Sequence, residues 1–503
     1  MYKKVALVAS AILTLERPPA AIAILAGVCE NNAIDYKFFD INLYLFYHFG
    51  RDRWEQIGSS AIELEEICQA DPELKIQIDQ ALDRITDEIL EYAPDLVAIS
   101  SFSALQISWT RMLLRKLREK STVTVIAGGP GIIYEQQPNK SAGKILAEQN
   151  LVDYYVLGEG DQVFHEFLNG IVSLGVNHKL DKHETWVPQL DNLDSLTLPT
   201  YKKLNINSYK SFLNESATQI PITGSRGCVR RCTFCDVGNI WKKFRFRSAS
   251  SIVNEIEKHY NEVGCLNYFF TDSLINGSIK QFIDVMKYLV ELQDKIPDFK
   301  KLSYSGQFII RPKSQHPEYL FELLQKSGCD HLEIGIESGS ERVRDHMGKK
   351  FSNEDIDYHF EMCDKYGIKN YILMFTSYPT ETIEDHNETI EFYIKNQKYL
   401  INNTIIGTNL NSPVVIYKNT PLDSMRSDLG IEITDMQYEN TNNWVSNKNP
   451  DLTLKERWRR YLELIKLTSA LRYKRATLDL NILNQNIQDL TTTINKLIEE
   501  PRT

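Results

Sequence analysis

A chain of 503 residues, 42% hydrophobic and 25% charged, carries ample apolar material for buried cores and has the length of about three domains. Its net charge of −10 argues against a broad nucleic-acid surface, which needs a basic face, and no apolar run reaches the ~18 residues that span a bilayer. Eight cysteines scattered over so long a chain do not make a secreted disulfide framework.

Residues 1–175 alternate strand-like and helix-like segments. Val5–Ala9 reads as a buried strand, and Pro18-Pro19 opens an apolar helix over Ala20–Glu30, where proline suits the first turn. Tyr36–Phe39 is the next strand, and 60–92 a polar-faced helical stretch. Leu96–Ser100 is a strand ending in Ser100-Ser101-Phe102-Ser103, followed by a helix over Trp109–Lys120. Val123–Ala127 stops at Gly128-Gly129-Pro130-Gly131, and Tyr154–Leu157 stops at Gly158-Glu159-Gly160-Asp161. Strand–helix alternation with turns at the strand ends predicts a Rossmann-like open parallel sheet, whose ligands bind outside the carboxyl ends of the strands. Residues 176–212, aperiodic and holding Pro188 and Pro199, read as a linker.

Over 213–420 the alternation resumes. Strands are expected at Ile220–Thr223, Tyr268–Thr271, Leu302–Gln307, His331–Ile336, Asn370–Phe375 and Thr404–Leu410, with helices at Ala249–Val263, Ile279–Lys295, Pro317–Ser327 and Glu354–Tyr366 between them. Repeated β/α units predict a full or partial TIM-type barrel with its site at the carboxyl strand ends. Residues 421–503 read as a C-terminal helical region: a basic helix over Leu454–Arg475, then a stripe of Leu480, Leu483, Ile487, Leu490, Ile494 and Leu497 that suits a short coiled coil or a helix packed on the body or on a second subunit. Lys242–Arg247 and Arg457–Arg475 are basic runs that read as solvated faces or as charges meeting a phosphate or carboxylate.

One motif carries chemistry. Cys228, Cys232 and Cys235 have C-x3-C-x2-C spacing in a loop directly after a strand. Three thiolates from one loop suit an iron–sulfur cluster with one iron left open, whereas structural zinc wants four closed ligands. A zinc or scaffold reading would need a distant fourth ligand, such as His259 or Cys265. Cys29, Cys68, Cys265, Cys329 and Cys363 stand singly among apolar residues and read as buried small hydrophobes. The triad requires reduced thiols, which predicts a cytoplasmic setting.

This motif, with Phe234 just before the third cysteine, resembles the radical S-adenosylmethionine (SAM) superfamily. The resemblance implies a 4Fe–4S cluster on the three thiolates, SAM chelated to the open iron by its amino and carboxylate groups, and one-electron cleavage to a 5′-deoxyadenosyl radical that abstracts hydrogen from carbon. Further segments resemble the subset with an N-terminal cobalamin-binding domain, and the likeness covers most of residues 1–400. Gly335-Ile336-Glu337-Ser338-Gly339 looks like the fourth-strand motif of that subset, which puts Glu337 and Ser338 at the SAM ribose. Asp272 looks like the second-strand acidic position near the SAM amino group, and Gln307 and Arg311 follow the third strand, where polar residues meet the SAM carboxylate. Tyr378-Pro379-Thr380-Glu381-Thr382 resembles a P-G-E-T turn with Thr380 in place of glycine. Ser101, Gly128, Gly129, Gly158 and Gly160 fall where the cobalamin domain has its turns.

The chain has no D-x-H-x-x-G run to ligate cobalt, and His48 reads as structural. The resemblance implies methyl transfer to carbon, or another radical transformation, of a small-molecule substrate, with an electron donor such as flavodoxin or ferredoxin and no membrane. Its alternatives are a radical SAM enzyme without cobalamin and a methylthiotransferase-like RNA-modifying enzyme. The latter would need a second cluster on N-terminal cysteines, where only Cys29 and Cys68 stand.

Overall fold

Short apolar runs bounded by turns become the inner strands of two sheets. The computed structural model describes residues 2–11, 15–58, 64, 68–69, 71–137, 140–209, 218–433, 440–441 and 443–473. By packing the chain forms two units, residues 1–222 with 251–268, and residues 223–250 with 269–503.

The first sheet holds β1 (Lys4–Ala9), β2 (Asp35–Asp40), β3 (Leu96–Ser100), β4 (Thr124–Gly128), β5 (Tyr154–Val156) and β6 (Val176–His178), in the order β2-β1-β3-β4-β5-β6. The first five strands run parallel. Strand β6 lies antiparallel at the edge, within the segment expected as linker. Alternation along each strand sorts the side chains into two cores. Val5, Leu7 and Ala9 enter one, and Ala6 and Val8 the other; Leu96 and Ala98 oppose Val97 and Ile99 in the same way. Burial on both faces explains why these strands read as continuous apolar runs rather than as alternating ones. The chain leaves β1 toward β2 and returns to β3 on the other side. The carboxyl ends of β1 and β3 therefore form the topological switch point, where such sheets bind ligands.

The second sheet holds β7 (Ile220–Ile222), β8 (Asn267–Phe270), β9 (Ser303–Phe308), β10 (Cys329–Glu337), β11 (Lys369–Thr376) and β12 (Ile405–Pro413), in strict reverse order from β12 to β7. Pairings β9–β10, β10–β11 and β11–β12 are parallel. Stepwise order is what successive β/α units generate, and among the described residues no pairing closes β12 onto β7, so the barrel is open. The intervening helices start and stop on local signals. Ser352 and Asp355 form a capping box for Asn353–Tyr366, which ends at Gly367 in the left-handed conformation.

Residues 421–453 are not helical throughout. Ile431–Ile433 and Trp444–Ser446 form a two-stranded ribbon ahead of the helix Leu454–Tyr473. The apolar stripe from Leu480 to Leu497 lies outside the described residues. The basic runs are only partly solvated: Lys242, Lys243 and Arg459 are exposed, but several arginines are not. Arg245, Arg247, Arg457 and Arg460 are buried, and the Arg457 guanidinium stacks 3.9 Å from the Trp444 ring centroid. No helix among the described residues is long and apolar enough to cross a membrane.

Candidate active site

The cysteine loop leaves the end of β7 and is closed at its base by a small antiparallel ribbon, which pairs Ser225 with Phe246 and Arg226 with Arg245. Only glycine fits at its first turn. Gly227 has φ +85°, and a Cβ there would sit 2.4 Å from the Lys243 carbonyl oxygen. Gly227→Ala combines that clash with a left-handed backbone costing about 1–2 kcal/mol. It is expected to leave the global unfolding transition in place while lowering iron retained per chain after reconstitution, measured colorimetrically.

Within the loop, Arg230 N–H donates to Cys228 Sγ at 3.3 Å and Cys235 N–H to the Cys232 carbonyl at 3.1 Å. Three further bonds tie the loop to its own unit: Thr233 N–H to Met347 O at 3.0 Å, Leu422 N–H to Thr233 O at 2.7 Å, and the Thr233 hydroxyl to the Tyr378 hydroxyl at 2.8 Å. Phe234 packs against a core that includes Met347, Phe375, Tyr378 and Trp444, edge-on to Phe375 at 4.9 Å between centroids.

Cys228, Cys232 and Cys235 are free thiols of intermediate burial. Burial raises the Cys228 and Cys235 thiols, the latter to about 12, and the neighbouring triad cysteines raise both further. Among the described residues no three His, Cys, Asp or Glu side chains already stand at ion-holding separation. The donor set nonetheless suits a cationic iron–sulfur cluster, because bound metal would reverse the thiol–thiolate repulsion that disfavours ionisation. Cys29, Cys68, Cys265, Cys329 and Cys363 are buried as expected. His259 and Cys265, the distant candidates for a fourth zinc ligand, are engaged locally, His259 with the Pro199 carbonyl and Cys265 with those of Thr218 and Asn267.

Asp272, Gln307, Arg311 and Glu337 each stand at or just past the carboxyl end of a strand. Asp272 is buried and accepts the Gly224 amide at 2.8 Å, which pins the start of the cysteine loop. Burial pushes its carboxyl up to about 7, against the pull of that amide and of the Arg247 charge. Gln307 has an exposed side chain, and its carbonyl accepts the Ile275 amide at 2.8 Å. Arg311 rests one terminal nitrogen 3.1 Å from the carbonyls of both Asn276 and Gly277, while its buried Nε has no partner; the Nε of Arg230 is likewise buried and unpaired. Burial, and then the charge of Arg230, lower the Arg311 pKa, while Cys228 opposes them, so these groups share one electrostatic neighbourhood. Two orphaned guanidinium donors beside the thiols suit an anionic ligand group such as a carboxylate.

Glu337 has φ +69° and is buried; its Oε1 lies 2.8 Å from Lys349 Nζ. Ser338 is buried and turned to local duties, accepting the Ser340 amide at 3.2 Å and lying 3.4 Å from the Thr389 hydroxyl. Sequence reasoning missed Lys349, which sits in Met347-Gly348-Lys349-Lys350 with no periodicity or spacing to mark it. It also missed the tie made by the Tyr378 hydroxyl.

In the first unit, Ser101 is fully buried. Its hydroxyl lies 2.7 Å from that of Thr110, which lies 2.8 Å from that of Ser10, so a hydroxyl chain crosses the β1–β3 switch point. Gly129 has φ +97°, and a Cβ there would meet the Ser101 carbonyl oxygen at 2.4 Å. Gly158, at φ +112°, fits closely against Val187. Around Gly128 the nearest neighbour is only in ordinary contact, and around Gly160 there is open space. His48 is exposed and stacked on Tyr44, in keeping with a structural role.

Comparison with known proteins agrees with this geometry. Residues 222–393 match the family model of the radical SAM superfamily. An uncharacterized methyltransferase of Pyrococcus horikoshii is 24% identical over 319 residues, 60% of this chain; the match spans 65% of that relative's own length, just under two thirds. Two solved structures share the fold. TsrM of Kitasatospora setae, with cobalamin and a [4Fe-4S] cluster bound, has a TM-score of 0.65 at 15% identity over 96% of this chain and 90% of its own. The cobalamin-dependent SAM radical enzyme OxsB, with aqua-cobalamin and SAM bound, has a TM-score of 0.65 at 14% identity over 98% of this chain and 71% of its own. Residues 222–393 form a radical SAM domain, and the chain has the fold of the solved structures TsrM and OxsB.

Proposed function

We propose that this chain is a radical SAM enzyme that holds a 4Fe–4S cluster on Cys228, Cys232 and Cys235, binds SAM along the carboxyl ends of β8 to β10, and carries cobalamin on its first sheet for methyl transfer to a carbon of a small-molecule substrate. The observation that carries the reading is a ribbon-closed loop with three free thiols at the end of a parallel β/α sheet. When bound, the reduced cluster supplies one electron to the SAM sulfonium to give the adenosyl radical, and the corrin supplies a methyl relay. The chain's own residues bind and orient. Glu337, hydrogen-bonded by Lys349, would accept hydrogen bonds from the ribose hydroxyls. Arg311 and Arg230 offer unpaired donors to the SAM carboxylate, and Gln307 adds an exposed amide. Asp272 keeps the cysteine loop at the sheet by its bond to Gly224.

Support for a flat cofactor on the first sheet comes from the open space around Gly160 and from Phe102 and Leu105, each 63% exposed beside the Ser101 turn. The test is cofactor content. Anaerobic reconstitution with cobalamin present is expected to yield about four irons and four sulfides per chain together with one corrin, quantified by colorimetry and absorbance. Iron and sulfide without corrin would remove the methyl relay and leave the radical chemistry; absence of iron would remove both. An electron donor of the flavodoxin or ferredoxin type belongs to the same proposal, and supplying it is expected to start SAM cleavage.

A further inference from the structure

We propose that Lys349 is a positioning residue with two duties: it fixes the Glu337 carboxylate at the end of β10, and it sets a buried positive charge against the cysteine loop. The inference rests on the function proposed above.

Glu337 is held in a backbone region that a side chain adopts only when its surroundings impose it, φ +69°, and the β10–β11 register slips between Gly335 and Glu337. Lys349 Nζ supplies the restraint, at 2.8 Å from Glu337 Oε1 and 2.9 Å from the Gly335 carbonyl oxygen. The two side chains are 9% and 10% exposed, so the pair is shielded from water. Glycine at 335 leaves the room, since a Cβ there would lie 2.4 Å from Glu337 Oε1 and 2.9 Å from Lys349 Nζ.

The second duty follows from where the lysine comes from. The residue before it runs against the cysteine loop: a Cβ on Gly348 would lie 3.5 Å from the Arg231 carbonyl oxygen and 4.0 Å from Cys232 Cα, and Thr233 bonds the Met347 carbonyl. The ammonium stands 5.5 Å from the ring centroid of Phe234, the neighbour of Cys235. Burial by itself would weaken the ammonium's hold on its proton, but Glu337 and then Cys232 and Cys235 outweigh burial and raise its pKa. A fixed cation next to a thiolate-held cluster favours the more negative, reduced cluster, and the same cation orients the carboxylate meant for the ribose.

Two measurements on the reconstituted full-length protein test this. Lys349→Met is expected to weaken SAM binding roughly 10- to 100-fold, the usual scale for loss of a group that supports a ligating side chain. Glu337→Gln should weaken it similarly, and the double variant no further, because both changes remove one arrangement. For the charge, the midpoint potential of the cluster is compared in Glu337→Gln and in Glu337→Gln/Lys349→Met, because this pair differs only in the lysine, whereas the single variant Lys349→Met also leaves the Glu337 carboxylate without its partner. The double variant is expected to have the lower potential by redox titration followed by electron paramagnetic resonance. It replaces both charges with neutral groups of similar size, so it also serves if Lys349→Met alone does not fold. Wild-type SAM affinity in Lys349→Met, or equal potentials in the two Glu337→Gln proteins, would overturn the assignment. A wild-type protein that assembles no cluster would instead overturn the proposed function, and this inference with it.

Discussion

Cys232→Ala is expected to give a folded protein that, after anaerobic reconstitution, lacks the broad visible absorbance of iron–thiolate charge transfer and cleaves no SAM above background. Two remaining thiolates cannot hold three irons of a cubane. The change should cost little stability, because the side chain is only partly buried and the loop contacts made by residue 232 are backbone ones, such as its carbonyl accepting the Cys235 amide. Cys329→Ala is the control. Cys329 is buried at the start of β10, paired with Tyr304 of β9, and its loss should lower the unfolding midpoint while leaving absorbance and cleavage in place. Ultraviolet–visible spectra and chromatographic detection of 5′-deoxyadenosine read both outcomes; cleavage retained by Cys232→Ala would defeat the assignment of the triad.

Arg460→Met is expected to produce the largest loss of stability, about 3–5 kcal/mol, by orphaning a buried carboxylate. Arg460 and Glu381 are 4% and 3% exposed and 3.0 Å apart, and Arg460 also donates to the Glu381 and Thr382 carbonyls. Glu381 in turn accepts the amide of Ser377, a non-glycine residue at φ +66° in the turn after β11. That turn presents Tyr378 to Thr233 of the cysteine loop, so the ion pair supports the candidate site from behind. Burial raises the Glu381 carboxyl to about 7 even with Arg460 present, and removing the arginine raises it further. A carboxyl whose folded pKa lies above its unfolded value loses stability as pH rises through that interval. The deficit of Arg460→Met should therefore be small near pH ~5 and grow as pH rises above about 7, to be clearly larger at pH ~9. Urea midpoints at both values check this, and Arg460→Met/Glu381→Gln should recover most of the loss. Equal deficits at the two pH values would show that packing, not charge, sets the effect.

Much of the fold could be read in advance because it rests on local signals. The inner strands are apolar runs and the helices have explicit stops, so Ile279–Lys295 was legible to the residue and most strand ends to within a residue or two. The helices Ile41–Phe49, Gly160–Leu168 and Ile383–Lys395 were not read, and the strands that escaped are two or three residues long, among them β6, the ribbon at Ser225–Arg226 and the ribbon at Ile431–Ile433. So short a strand has no period, and it forms because a partner is held opposite it. The buried arginines within the basic runs were not foreseeable for a related reason. Charge along the chain does not say that Arg457 will stack on Trp444 or that Arg460 will meet Glu381, since both are contacts brought about by folding.

The amino-acid sequence alone determined the chemistry: three cysteines at C-x3-C-x2-C spacing behind a strand, a donor set that a single loop can present without help from the rest of the chain. Tertiary structure decided how that chemistry is held. Asp272 acquires its amide and Thr233 its tyrosine only when segments remote in sequence are brought together, Glu337 its lysine only when the chain after β10 folds back on the strand end, and in a buried, weakly screened setting those partners govern charge and geometry.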